Sequence, residues 1–497
     1  MGLNGPQEEI AEMSQTCFRT FAVLLLLVFL ALACAAQSRT EMQVTTHSAK
    51  ARALFDEGMG KMETLHWEAA LQSWRKAAQV DPQFALAHIF LTMLSRDPLE
   101  QFAERDKAFA SRQGISREEQ LIVDWIGNAS QGQWIPAIQA MNEAAAEFPQ
   151  DKRLAWLTGL WLEGQRQSSR AIPFFERAIQ LDARFPDPWN QVAYCYARSG
   201  NFDRAFANMK TYAELLPNES NPQDSLAEIS RMAGRFEDAL THYQLSLKND
   251  PTFVESQLGL ADTYALMGDE VRARAEYAIA IRKAPDKAQA TLWSLQSAAT
   301  YVRENNLPAA DAAFRAAAKS AHERNLGGLE AEAYRMMAMY QKDNGEAMEL
   351  LKKADAALSE RHQMPKAVYE QELALIMRNW LTRLVAKNAM ADATGILKQL
   401  EELSQYSPGR AEFAYHGAAG TLLLAQSKYE EAVSHLEEDG QNPVSLKQLI
   451  VAYEKMGNKE DAGRTAQKLA AFNEPTLEQA IVVPEFRKSM MAMQSTR

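Results

Sequence analysis

Cysteine is scarce in this sequence: Cys17, Cys34 and Cys195 are the only three in 497 residues. Two of them lie at the N-terminal end, so the body of the chain keeps Cys195 alone and no internal disulfide framework can hold the fold. Cys195 sits among apolar residues, where an inert buried thiol is expected. Histidine is sparse too, at eight, and none pair at helical metal spacing. Glu63-Thr-Leu-His66 is a lone E-x-x-H, whereas a di-iron bundle needs two such motifs on facing helices. The patterns G-x-x-x-x-G-K-[ST], G-x-S-x-G and H-E-x-x-H are missing, so those phosphate, hydrolase and zinc mechanisms lack their carriers. A basic excess is missing as well. With 53 Lys+Arg against 64 Asp+Glu the net charge is −11, which argues against a nucleic-acid partner. No cofactor and no catalytic residue is therefore expected.

What is present begins with an apolar run. Phe21 to Ala36 is uncharged over 16 residues, short of the ~20 that a membrane span needs but suited to the core of a secretory signal. Arg19 precedes it, and Glu8, Glu9 and Glu12 make the residues before Arg19 acidic. A start at Met13 would remove that anomaly. Ala33-Cys34-Ala35 fits small-x-small cleavage, and Leu30-Ala31-Leu32-Ala33-Cys34 resembles a bacterial lipobox with Ala31 where Leu is preferred. The expectation is an exported protein, periplasmic, in the cell envelope or secreted, with Cys34 the candidate lipidation site. Residues 1–36 form the leader and 37–47 a short linker.

The remainder is periodic. Ala137, Ala171, Ala205, Ala239 and Ala273 stand 34 residues apart. Each is followed four residues on by a large side chain: Met141, Phe175, Met209, Tyr243 and Tyr277. Residues at i, i+4 and i+7 line one helix face, so a small residue lets two helices approach and the large one fills the space beside it. Gly200, Gly234 and Gly268 mark a stop before each such helix, and Pro149, Pro217, Pro251 and Pro285 close four of the units. Each unit reads as helix, Gly-bearing turn, helix, break. After Pro285 the period loosens, but Ala310/Phe314, Ala347/Leu351, Ala393/Leu397, Ala432/Leu436 and Ala462/Ala466 keep the same spacing within a helix.

Trp189, Ala193, Tyr196, Gly200, Ala205 and Pro217 fall in register with the consensus of the tetratricopeptide repeat, and the sequence resembles that family. Gly58, Ala70, Trp74, Ala77 and Pro82 fit an earlier unit. The resemblance implies an all-α fold, a right-handed superhelical solenoid of antiparallel helix pairs with about ten to twelve repeats. Regular repeats are expected over 48–285, degenerate at 83–117 where Lys107 takes an aromatic place. Divergent repeats follow over 286–472, and 473–497 form a C-terminal cap.

The resemblance also implies function. First helices of such repeats line a concave groove that holds peptides or another protein's helix, so a non-catalytic scaffold for protein or peptide partners is expected. The first-helix positions expected to face the groove are Arg153, Trp156, Leu160, Asp187, Asn190, Tyr194, Arg198, Asp224, Glu228, Arg231, Glu255 and Asp262. Trp156 and Tyr194 stand out as aromatic anchors within an acidic surround. A glycan-binding surface lipoprotein and an enzyme built on a helical toroid are the alternatives. The first lacks long aromatic-bearing insertions here, the second a nucleophile or carboxylate motif. Met336, Met337 and Met339, and Met490, Met491 and Met493, carry thioethers that suit Cu(I) or the filling of cores and grooves.

Overall fold

Among the described residues every regular element is a helix. The computed structural model describes residues 41–495 except Arg96, residues 360–363 and Pro408. The apolar run and Cys34 lie outside the described residues. Among the described residues twelve helix pairs follow one another and a single helix ends the series. The first four pairs are α1 (Ala49–Glu63) with α2 (Trp67–Val80), α3 (Ala85–Leu94) with α4 (Pro98–Ala110), α5 (Arg117–Ser130) with α6 (Trp134–Glu147), and α7 (Lys152–Gly164) with α8 (Ser168–Leu181). The next four are α9 (Pro186–Arg198) with α10 (Phe202–Leu215), α11 (Asn221–Met232) with α12 (Phe236–Asn249), α13 (Val254–Met267) with α14 (Glu270–Lys283), and α15 (Lys287–Arg303) with α16 (Leu307–Glu323). The last four are α17 (Gly327–Tyr340) with α18 (Asn344–Ser359), α19 (Lys366–Ala386) with α20 (Met390–Tyr406), α21 (Arg410–Ala425) with α22 (Tyr429–Glu438), and α23 (Pro443–Lys455) with α24 (Lys459–Ala470). The single last helix is α25 (Leu477–Ser495).

The periodic alanines make the seams. Ala137, Ala171, Ala205, Ala239 and Ala273 all lie on second helices and are 0% exposed. The large residues four places on are buried beside them, Phe175 and Met209 completely. Glycines on first helices serve the same close approach. A β-carbon on Gly159 would sit 2.5 Å from Phe175 Cε1, and one on Gly420 would sit 2.5 Å from Leu436 Cγ. The Gly159→Val variant is therefore expected to lose about 3 kcal/mol, the upper end of overpacking costs, in denaturant unfolding. Hydrogen exchange should rise first in α7 and α8 and their neighbours, because a solenoid is stabilised by adjacent interfaces.

Turns and caps follow from sequence. Gly200, Gly234 and Gly268 take φ of 79°, 75° and 84°, the left-handed conformation that ends the first helix of a pair. Ser116 and Glu119 form a reciprocal capping box at the start of α5. Glu119 also anchors the segment before α1, accepting from Thr45 N at 2.6 Å. The pair that departs from the motif, α3 with α4, adds buried polar contacts to an apolar core of Leu86, Ile89, Phe90 and Ala108. His88 is buried between Glu104 Oε2 at 2.5 Å and the Pro82 carbonyl at 3.0 Å. Lys107, at the aromatic place, donates to Glu104 Oε1 at 2.7 Å.

Curvature follows from which helices touch. First helices pack on the first helices of the next pair, as in α9 with α11, α15 with α17 and α19 with α21, whereas second helices have no comparable contact with one another. First helices therefore line the inner side. The array turns far enough to meet itself: α5 of the third pair touches α19 of the tenth. Trp134 Nε1 donates to Ser407 Oγ at 2.9 Å, and Arg166 pairs with Glu474 at 3.4 Å across 308 residues of sequence.

Candidate functional site

The first-helix residues expected to face a groove are brought together, but mostly as structure. Trp156 is 0% exposed, stacks edge-on with Phe185 at 5.2 Å and donates Nε1–H to Asp187 Oδ2 at 2.5 Å. Asp187 and Asn190 are buried with it, and Asp224 and Arg231 are 8% and 4% exposed. Arg231 donates to Asp262 Oδ2 at 2.9 Å and to Glu228 Oε1 at 3.0 Å. Tyr194 donates its hydroxyl to Glu228 Oε2 at 2.8 Å and lies under Arg198, which pairs with Glu163. Arg153 pairs with Glu63 at 2.6 Å. As an accessible anchor Trp156 is thus corrected to a core residue. Asp187, Asp224 and Arg231 are likewise corrected to buried members of a polar spine joining successive first helices, and Asn190 to a buried residue beside Asp187. Their polarity misled, because buried polar side chains here find partners one repeat away rather than in solvent. Glu255 remains exposed, and Leu160 is half-buried.

Two of these carboxyls have only neutral hydrogen-bond donors. Burial pushes Asp187 up to about 7, against hydrogen bonds from Trp156, Gln191 and Asn190. Burial pushes Asp224 up to about 8, although Ser256 donates to it at 2.7 Å. The folded state thus holds protons that the unfolded chain releases from about pH 4 upward. Their contribution is complete below the unfolded value and is lost as pH rises through the folded values, since the unfolded state then binds fewer protons. The melting temperature is expected to fall between pH 5 and pH 8 by more in wild type than in an Asp187→Asn/Asp224→Asn variant, as read by calorimetry. Equal pH slopes would contradict this assignment.

The open space lies in the other half of the molecule. A cavity of about 970 Å³ is bounded by the inner helices α15, α17 and α19, the start of α21, the turn before α23, the chain leading into α25 and, from the first half, the turn between α7 and α8 with the start of α8. Leu292, Leu329, Met336, Met339 and Leu375 give it a half-buried apolar wall. Charged groups line it as well. Arg335 and Arg378 are committed, to Glu372 at 2.6 Å and Asp439 at 2.7 Å. Arg410 and Lys468 form no salt bridge with a described residue, and desolvation holds the Lys468 ammonium below its usual range. Glu412, Glu438 and Glu478 also border the space, so it is bipolar.

Sequence reasoning missed this chamber because its walls come from segments up to about 300 residues apart, and only closure of the superhelix joins them. The methionines at 336 and 339 were its one visible signal. His416 and His435 also meet, Nδ1 to Nδ1 at 3.0 Å, at the same 19-residue offset by which His242 reaches Gln223. This offset crosses the seam of a helix pair, so a search within one helix does not find it. No group of three or more His, Cys, Asp or Glu among the described residues is placed to hold a metal ion. Cys195 is buried, and burial pushes its thiol up to about 12, which makes it a poor nucleophile.

The fold is thus a helix-pair solenoid of tetratricopeptide type. No protein-family model matches the sequence. Part of it is similar to the mouse Superkiller complex protein 3, 27% identical over 115 residues, or 23% of this chain and 7% of that protein. It is also similar to the Small glutamine-rich tetratricopeptide repeat-containing protein 2 of Mycosarcoma maydis, 27% identical over 143 residues, covering 28% of this chain and 41% of the other. The chain therefore spans well under two thirds of these relatives. Among solved structures, yeast Tom70 aligns with a TM-score of 0.42 at 15% identity, over 89% of this chain and 99% of that one. Cut9–Hcn1 of the APC/C aligns with a TM-score of 0.41 at 14% identity, over 84% and 76%.

Proposed function

We propose that the protein is a non-catalytic scaffold that binds a segment of a partner protein in the chamber on the inner side of α15, α17 and α19. The observation that carries this reading is the chamber itself: it is lined by apolar side chains and by cations, Arg170, Arg410 and Lys468 among them, that form no salt bridge with a described acid. A partner segment with apolar side chains toward Met336, Met339 and Leu375 and a carboxylate toward Arg410 fits that arrangement. Net charge of −11 supports a protein rather than a nucleic-acid partner. The same proposal places the scaffold in the cell envelope, exported by the leader and lipid-held through Cys34; the 16-residue apolar run supports it. An intact mass that retains Phe21 to Ala33 would overturn cleavage and lipidation at Cys34 and favour a permanent anchor.

Photo-crosslinking tests the site. A photoreactive residue at position 339, inside the chamber, should give one defined crosslinked partner. The same group at position 271, on the outer helix α14 where Val271 is 72% exposed, should not. Crosslinks from position 271 and none from 339 would place the contact on the convex face and overturn the proposal.

A further inference from the structure

The last helix occupies part of the inner surface. α25 packs on its neighbours α23 and α24 but also on α15, which belongs to the eighth pair. Leu477, Ala480 and Val483 form its buried stripe, at 4%, 5% and 0% exposure. Pro484 lies inside the helix, and near its far end Met491 is 67% exposed. A proline inside a helix removes one backbone hydrogen bond and weakens the helix around it. Beyond the proline Phe486 still packs on the same apolar cluster and Arg487 donates to the Ala470 and Phe472 carbonyls, so the seat continues past Pro484.

The polar contact in that seat is poorly matched. Arg303, at the end of α15, has a side chain only 7% exposed. It donates Nη1–H to the side-chain oxygen of Gln479, a neutral amide. Its Nε has no hydrogen-bond partner, and the nearest carboxylate, Glu270 Oε1, is 3.7 Å away. Glu270 Oε2 is buried without a partner too. A guanidinium presents five donors in a fork shaped for a carboxylate, and a charge-assisted bond is about twice as strong as a neutral one.

We propose that this inner surface is a helix-binding groove in which α25 is the resident, and that the partner it fits is an amphipathic helix delivering a carboxylate to Arg303 where α25 delivers the Gln479 amide. The groove runs into the chamber, because α15, on which α25 packs, also lines the chamber through Leu295 and Ala299, beside Leu477 and Glu478 at the start of the resident helix. The proposal rests on the scaffold reading above and names the chemistry of its ligand. Glu270 does not oppose an incoming carboxylate strongly, since burial raises its carboxyl to about 7 and a proton can remain there.

The test uses the full chain. In cis, Gln479→Glu should slow amide exchange in α25 by about tenfold, the effect of one charge-assisted bond over a neutral one. The gain should vanish in an Arg303→Lys background. In trans, a chain with a weakened resident helix (Leu477→Ala/Val483→Ala) should bind a synthetic peptide of residues 476–492 carrying Glu at the Gln479 position. That peptide should bind about tenfold more tightly than the native-sequence peptide. Faster exchange in Gln479→Glu, or equal affinity of the two peptides, would overturn the carboxylate preference and leave the scaffold reading standing. Absence of binding by either peptide, while the crosslinked partner still binds the chamber, would overturn the helix groove alone.

Discussion

Trp156→Ala is expected to lower the stability of the array by about 3–5 kcal/mol, the range for emptying a fully buried aromatic site. The indole fills the space between α7 and the start of α9, with its ring against Phe185 and its N–H on Asp187. Truncation leaves a cavity and deprives a buried carboxyl of a donor, so two costs add. Far-ultraviolet circular dichroism during urea unfolding should show an earlier midpoint. Partner binding at saturating folded protein should not change. A variant as stable as wild type would mean that Trp156 is not packed as described.

Arg231→Met is expected to cost about 3 kcal/mol or more, because it strands Glu228 and Asp262 on the inner side of α11 and α13 without their cation. The guanidinium lies between these two carboxylates, at 3.0 and 2.9 Å, and is 5% exposed. Tyr277 also donates to Asp262, and Tyr194 to Glu228, so the loss spreads over three successive helix pairs, from α9 to α14. Replacing all three charged residues by apolar ones of similar size should recover most of the stability, as exchanges of whole buried ion groups do. The measurement is again equilibrium unfolding, with hydrogen exchange locating the loosened pairs.

The repeat architecture was readable from Ala137, Ala171, Ala205, Ala239 and Ala273 because a seam between paired helices demands a small residue at a fixed place. That constraint is local, and it survives in Ala310, Ala347, Ala393 and Ala432, which are also 0% exposed although their spacing is irregular. The roles of Asp187, Asp224 and Arg231 were not readable. A polar residue on a first helix is assigned to the surface by pattern alone, yet each of these finds a partner 31 or 32 residues away on a neighbouring first helix: Trp156, Ser256 and Asp262. The contacts of Arg303 with Gln479, and of Trp134 with Ser407, span 176 and 273 residues. They depend on how far the superhelix turns, a sum of small rotations per pair that no single motif encodes.

Whether the chamber is where the scaffold holds its partner is tested most directly by the affinity of the crosslinked partner for chamber variants. Titration calorimetry would compare Arg410→Glu/Lys468→Glu with Val271→Glu on the outer helix α14. Reversing two cations that face a carboxylate should weaken binding at least about tenfold, most clearly at low salt. The outer substitution should leave it unchanged. Wild-type affinity in the Arg410→Glu/Lys468→Glu variant, with binding lost in Val271→Glu, would contradict a site in the chamber and move it to the outside of the array.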